Sequence, residues 1–253
     1  MTIRNDEEHA GMSESNRIAC EVLDLIAGRV QPGVKTVELD QLAEEYIRSR
    51  GAIPAFKGYR QGNSTPYPSS ICASVNDEVV HGIPGERVLE EGDILSVDVG
   101  INKNGFFGDS ARTFPVGNVD REKQRLLKVT REALYVGIAQ ARVGNRVHDI
   151  SAAIQEYVEA AGYSVVRELV GHGIGRNMHE EPAVPNYGKP GTGAKLVEGM
   201  ALAIEPMVNS GTFRVKVARD GWTILTADGM PSAHFEHSVI VRNGDAEILS
   251  KVA

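Results

Sequence analysis

Four carboxylates in this chain occupy positions where an ionised group is costly. Asp98 lies in "DILSVDVG", flanked by Val97 and Val99 on a segment that reads as a buried strand. An ionised carboxylate on such a strand is unfavourable unless it is paired or bound to a metal. Asn104-Gly105 is a strong hairpin-turn signal between two apolar runs. Closing the hairpin there sets residue 98 opposite residue 111 and makes Asp109 the diagonal neighbour of Asp98 on the same face. Two like charges in that arrangement repel, and a cation between them resolves the conflict. A different register would turn one of the two aspartates to solvent. Glu205 in "GMALAIEPM" and Glu236 in "HFEHSVIV" also stand on apolar strands. A strand-end carboxylate facing water is common, but four on similar strands favour a shared site.

Histidines extend the set. His172 and His179 lie in "GHGIGRNMHEEP", where Gly173 and Gly175 permit a turn that brings both to one cleft. His81 heads "HGIPG", a close match to the "HGIG" that begins at His172. His9, His148, His234 and His237 read as structural or exposed. "HEEP" is not the helical zinc motif, because it lacks a second histidine four residues on and Pro182 breaks a helix. An oxygen-rich set without thiolates suits cobalt, manganese, iron(II) or catalytic zinc better than a structural zinc. Four carboxylates and one or two imidazoles exceed the needs of one catalytic ion. Two divalent metal ions roughly 3.5–4 Å apart would use them all, hold a bridging hydroxide as nucleophile and polarise a carbonyl. That is hydrolytic chemistry. The sequence contains no phosphate loop, dinucleotide fingerprint or G-x-S-x-G elbow.

The elements that must position these residues follow from periodicity. Residues 1–12 are polar and read as a loose tail. A helix begins at Ser13, with Ile18, Val22, Leu25 and Ile26 on one face, and a second spans about Val37 to Arg50. Residues 51–70 are rich in Gly, Pro and Ser and read as loop. Strands are expected at Ser70–Val75, Ile94–Ile101 and Phe106–Phe114. Two more helices are expected from about Arg121 to Val143 and over Val147–Ala161. Strands and Gly/Pro-rich loops follow, ending in a strand at about His234–Val241.

The chain repeats itself. Gly33, Tyr46 and Gly51 recur as Gly144, Tyr157 and Gly162 at the same spacing. "VHGIPG" at Val80 is answered by "GHGIGR" at Gly171, and "EEGDILSVD" ending at Asp98 by "VEGMALAIE" ending at Glu205. Several matches in one order indicate an internal duplication, approximately residues 13–120 and 121–250. Two similar halves about a pseudo-twofold axis, with a site in the cleft between them, are the natural arrangement.

The 253 residues suit one catalytic domain over residues 13–253 with a full-sized core. A formal net charge of -7 argues against a basic nucleic-acid footprint. Cys20 and Cys72 are the only cysteines and form no CxxC pair, which fits a reducing compartment. No apolar run reads as a signal peptide or approaches a membrane span, so the cytoplasm is the expected location.

"SVNDEVVHGIPG", "EGDILSVDVG", "GDSARTF", "GHGIGRNMHEEP", "GMALAIEPM" and "FEHSVIV" together resemble type 1 methionine aminopeptidases, from about Ser13 to Val241. The resemblance implies an α+β pita-bread fold: a curved antiparallel sheet, outer helices and pseudo-twofold halves. It implies removal of the initiator methionine from nascent polypeptides, possibly at the ribosome, with preference for a small following residue, by a monomer. It casts Asp98, Asp109, His172, Glu205 and Glu236 as metal ligands, with Asp109 and Glu236 bridging. His81 would contact the scissile amide or amino group, His179 the carbonyl oxygen, and Glu205 would transfer protons. Tyr59, Tyr67, Cys72, Met178 and Trp222 would line the methionine pocket. Cys72 reads equally well as a core thiol. The loop between Tyr59 and Tyr67 is longer than is usual in the family, and Met178 stands where an aromatic is common. Two rivals share the ligands or the fold: an Xaa-Pro aminopeptidase or prolidase, and a non-catalytic binding paralogue.

Overall fold

A computed structural model describes residues 1–60, 62 and 65–251. The first half comprises α1 (Asp6–Ala27), α2 (Thr36–Ser49), β1 (Ile53–Pro54), β2 (Cys72–Val75), β3 (Glu78–Val80), β4 (Ile94–Lys103) and β5 (Phe106–Pro115). The second opens with α3 (Arg121–Ile138) and α4 (Val147–Ala160). Its strands are β6 (Ser164–Val165), β7 (Val170–Gly173), β8 (Glu180–Pro185), β9 (Ala201–Ile204), β10 (Met207–Asn209), β11 (Val215–Val217), β12 (Ile224–Thr226), β13 (Ser232–His234), β14 (His237–Ile240) and β15 (Glu247–Ile248). This is the pita-bread fold, and every strand pair within its sheets is antiparallel.

Each half has its own core. In the first, Ile18, Val22, Leu23 and Ile26 of α1 and Leu39, Ala43 and Ile47 of α2 pack onto Leu95, Val97, Val99 and Ile101 of β4. Side chains alternate across a strand, so Ser96, Asp98 and Gly100 face the other way, into the cleft. In the second, Leu126, Ala133 and Leu134 of α3 and Ile150, Ile154 and Val158 of α4 cover Leu202, Ile204 and Val239. Alternation there turns Ala203, and beyond it Glu205, towards the same cleft.

The turn at Asn104-Gly105 gives the expected register: Asp98 pairs with Ala111 and Gly100 with Asp109. Asn104 and Gly105 both take positive φ, 54° and 78°, as a two-residue type I′ hairpin turn requires.

Two expectations about the elements need correction. Residues 1–12 are packed rather than loose. Asn5 accepts a hydrogen bond from the Glu8 amide and caps α1, which begins at Asp6 rather than Ser13. Thr2 bridges to Met200, the Ile3 amide bonds the Gly199 carbonyl, and Met12 is fully buried beside Phe106, Ile174 and Ile240. The apolar stripe of α1 therefore extends back to Met12, and the polar letters around it hid that. The terminal strand expected at His234–Val241 is two strands, broken at Phe235 and Glu236. β13 pairs with β10 and β14 with β9, so the chain changes sheets at Glu236.

That change builds the seam between the halves. The Glu236 amide donates to the Ala111 carbonyl at 2.9 Å. Ser110 Oγ donates to the Glu236 carbonyl and Ser238 Oγ to the Asp109 carbonyl, each at 2.9 Å. The segments that carry two expected metal ligands, Asp109 and Glu236, one from each half, are thus tied by one backbone and two serine hydrogen bonds. No helix among the described residues is long and apolar enough to cross a membrane.

Candidate metal centre

Asp98, Asp109, His172, Glu205 and Glu236 line one cavity together with His81, His179, Tyr59, Tyr67, Cys72, Trp222 and Phe56. A ligand atom from each of Asp109, His172 and Glu236 lies within 4.8 Å of the others. His172 Nε2 is 3.7 Å from Asp109 Oδ2 and 3.7 Å from Glu205 Oε1. Its Nδ1 is 2.9 Å from the Gly173 carbonyl. A carbonyl only accepts, so Nδ1 carries the proton and Nε2 presents a lone pair to the cluster, as a metal-binding imidazole requires.

The electrostatics favour a cation. Asp109 is 3% and Glu236 1% exposed. Burial lifts the Asp98 carboxyl to about 6 and Glu205 to about 8. Burial, reinforced by neighbouring carboxylates, pushes Asp109 and Glu236 well above the ordinary carboxylate range. Burial also holds His172 down at about 4, so it is neutral at pH 7. Asp98 Oδ1, Asp109 Oδ1 and Glu236 Oε1 are buried without any hydrogen-bond partner. Unpaired buried oxygens of this kind are rare and call for a specific explanation. Divalent ions supply one, and the donor set of four carboxylates and one imidazole fits them.

Around the carboxylates stand the groups that would handle substrate. Tyr59 Oη is 3.0 Å from His179 Nδ1, and the His179 ring stacks edge-on against His172 at 4.4 Å. Burial lowers the pKa of His179, and holds His81 at about 4. His81 has a left-handed backbone, φ 59°, uncommon for a residue with a side chain. The next residue explains how it is held: a Cβ on Gly82 would lie 2.5 Å from the Ala73 carbonyl oxygen, so only glycine lets the chain cross β2 so closely. Tyr67, Cys72 and Trp222 form an apolar wall. Tyr67 Oη is anchored to the Gly82 carbonyl at 2.8 Å, and its ring meets Trp222 edge-on at 5.3 Å. Cys72 pairs with Asp98 in the β2–β4 register, which places its side chain on the cleft face. Burial pushes its thiol pKa well up, so it is a neutral wall rather than a nucleophile.

The sequence reading and the cavity lining differ at two residues, Met178 and Phe56. Met178 is buried but does not line the cavity; its Cε and the Phe56 ring occupy the space beside Gly100 where a Cβ would otherwise stand. Phe56 takes the lining place, and nothing in the Gly/Pro-rich loop singled it out. His234, read as structural or exposed, is 1% exposed with Nε2 3.4 Å from Glu205 Oε2. Its place two residues before Glu236 was a signal that could have drawn attention to it. Of the long loop 59–70, residues 61, 63 and 64 lie outside the described residues.

The model of Metallopeptidase family M24 matches residues 10–243. The chain belongs to that family. Within M24 it is 50% identical to a methionine aminopeptidase of Clostridium perfringens, over 99% of this chain and 98% of that protein. It is also 50% identical to methionine aminopeptidase 1 of Bacillus subtilis, over 95% of each chain. The crystal structure of a methionine aminopeptidase from Thermotoga maritima superposes with a TM-score of 0.95 at 44% identity, covering 100% of both chains. The Xaa-Pro dipeptidase of Bacillus anthracis shares the fold, with a TM-score of 0.79 at 24% identity; this chain covers 62% of it.

Proposed function

We propose that this M24 metallopeptidase removes the N-terminal methionine of nascent polypeptides in the cytoplasm, acting as a monomer on chains with a small second residue. The observation that carries the reading is the cavity itself: buried, unpartnered carboxylate oxygens at one end and the Tyr67–Cys72–Trp222 wall at the other. Identity near 50% to methionine aminopeptidases over almost the whole chain supports this choice within the family.

Asp98, Asp109, His172, Glu205 and Glu236 would hold two divalent ions, of cobalt, manganese, iron(II) or zinc. Bound there, such ions polarise a carbonyl and make water nucleophilic near neutral pH. The protein's own groups do the rest. The apolar wall takes the methionine side chain and excludes water from it. Tyr59 Oη donates to His179 Nδ1, which leaves Nε2–H free to donate to the carbonyl oxygen as negative charge develops on it. His81, neutral at pH 7, orients the substrate near its amino group or scissile amide. Glu205 accepts the proton of the attacking water and delivers it to the leaving amine.

The test uses metal-loaded protein with Met-Ala-Ser and with an Xaa-Pro peptide. Release of methionine from Met-Ala-Ser alone is expected. Cleavage confined to the Xaa-Pro peptide would replace this reading with the prolidase one, and cleavage of neither would favour a binding paralogue.

A further inference from the structure

His234 has no part in the ligand set, yet its ring is as buried as any ligand. It is 1% exposed, and among the described residues Nε2 is the only buried ring nitrogen without a hydrogen-bond partner. Its surroundings fix it in place. Thr113 Oγ1 donates to the His234 carbonyl at 2.8 Å and accepts from the His234 amide at 2.9 Å. Thr113 is itself bonded to Ser96 Oγ at 2.8 Å. On the other side His234 pairs with Met207, two residues past Glu205. The backbone of His234 is therefore clamped between β5 of the first half and β10 of the second.

The Glu205 carboxylate is divided between two imidazoles. Oε1 lies 3.7 Å from His172 Nε2, on the side of the metal ligands, and Oε2 lies 3.4 Å from His234 Nε2. A carboxylate has no donor when ionised, and a neutral imidazole can carry its one proton on Nε2. We propose that His234 is a positioning residue for the metal centre: Nε2–H, which faces Glu205 Oε2 at 3.4 Å without a formed hydrogen bond, closes on that oxygen when the centre is loaded and leaves Oε1 available to an ion. Partners of this kind orient a ligand and tune its basicity. Holding one oxygen also decides which lone pairs of Glu205 remain for proton transfer. The proposal rests on the reading of the five residues as metal ligands.

The arrangement distinguishes donation from direct ligation. A ligating His234 would need an unprotonated Nε2 with an ion between it and Glu205, whereas donation needs a proton on that nitrogen. Glutamine tests this, because its amide nitrogen reaches about as far from the backbone as an imidazole Nε2, donates, and is a poor metal ligand.

The experiment titrates metal-stripped full-length protein with Mn²⁺, reading free Mn²⁺ by electron paramagnetic resonance, for wild type, His234→Ala and His234→Gln. Thermal melts of the metal-free proteins check folding. Imidazole ¹⁵N chemical shifts of the metal-free wild type report which ring nitrogen of His234 is protonated. The expected result is a loss of affinity of about 10–100-fold in His234→Ala, recovery to within a few-fold of wild type in His234→Gln, and a proton on Nε2. Wild-type affinity in His234→Ala overturns the proposal. So does equal impairment of both variants, which would indicate ligation or packing. Absence of Mn²⁺ binding in the wild type would remove the metal reading itself, and with it this inference.

Discussion

Replacing Glu205 by glutamine should stabilise the metal-free protein and destabilise the metal-loaded one. Glu205 is lifted from the ordinary 4.5 to about 8 by burial. In the unfolded chain it ionises near 4.5, so above that pH the folded state alone retains the proton. A raised carboxylate works against folding as pH rises, from the unfolded value up to the folded one, and the effect levels off above 8. Between pH 6 and pH 9 this one group should remove about 3 kcal/mol of stability, at 1.36 kcal/mol per pH unit of retained proton. Glutamine cannot ionise and loses nothing. The melting temperature of metal-free Glu205→Gln, measured against metal-free wild type, should therefore gain roughly 5–10 °C between pH 6 and pH 9, at about 2–4 °C per kcal/mol for a chain of this size. Neutral glutamine also relieves Asp98, Asp109 and Glu236 of the repulsion by Glu205, which acts in the same direction. Saturating Mn²⁺ should reverse the order, because a ligand at 1,000 times its Kd adds about 4 kcal/mol to the protein that binds it. Parallel melting curves across this pH range, or an order unchanged by metal, would refute the argument that this carboxylate is held in readiness for a cation.

Two further substitutions probe the substrate side. Gly100→Ala places a Cβ 2.7 Å from Phe56 Cε1 and 2.8 Å from Met178 Cε. It should push Phe56 into the pocket, raise KM for Met-Ala-Ser by on the order of tenfold and cost about 1–3 kcal/mol of stability; an unchanged KM would show that Phe56 does not shape the pocket. Tyr59→Phe removes the hydroxyl at 3.0 Å from His179. It should lower kcat with little change in KM, by less than the roughly 100-fold loss of an oxyanion donor outright; a rise in KM alone would assign Tyr59 to binding.

Much of this was legible in the sequence, for identifiable reasons. The hairpin register followed from Asn104-Gly105, because a two-residue turn leaves little freedom in strand pairing, and Asp98 opposite Ala111 is what the structure has. The duplication placed Asp98 and Glu205 in matching segments, and each half has its own core and helix pair. What the sequence hid is tertiary. His234 and Glu236 lie two residues apart and look like one continuous strand. Spacing alone puts them on one face; what it hid is that the chain changes sheets between them, which pairs His234 with Met207, two residues past Glu205, and seats its ring against that carboxylate. Phe56 takes the lining place expected of Met178 because the space beside Gly100 admits both side chains, a packing fact with no periodic signature. The docked N-terminus escaped notice because its anchors are backbone hydrogen bonds to Gly199 and Ala201, which any residue types could make.

The central claim is that the five cavity residues hold two ions that enable methionine release. Titrating metal-stripped wild type and Asp109→Ala with Mn²⁺, while counting bound ions and methionine released from Met-Ala-Ser in the same samples, tests it most directly. The account predicts up to two ions per wild-type chain with release tracking occupancy, and loss of the shared-ligand site and of turnover in Asp109→Ala. Near-normal release by Asp109→Ala would contradict it.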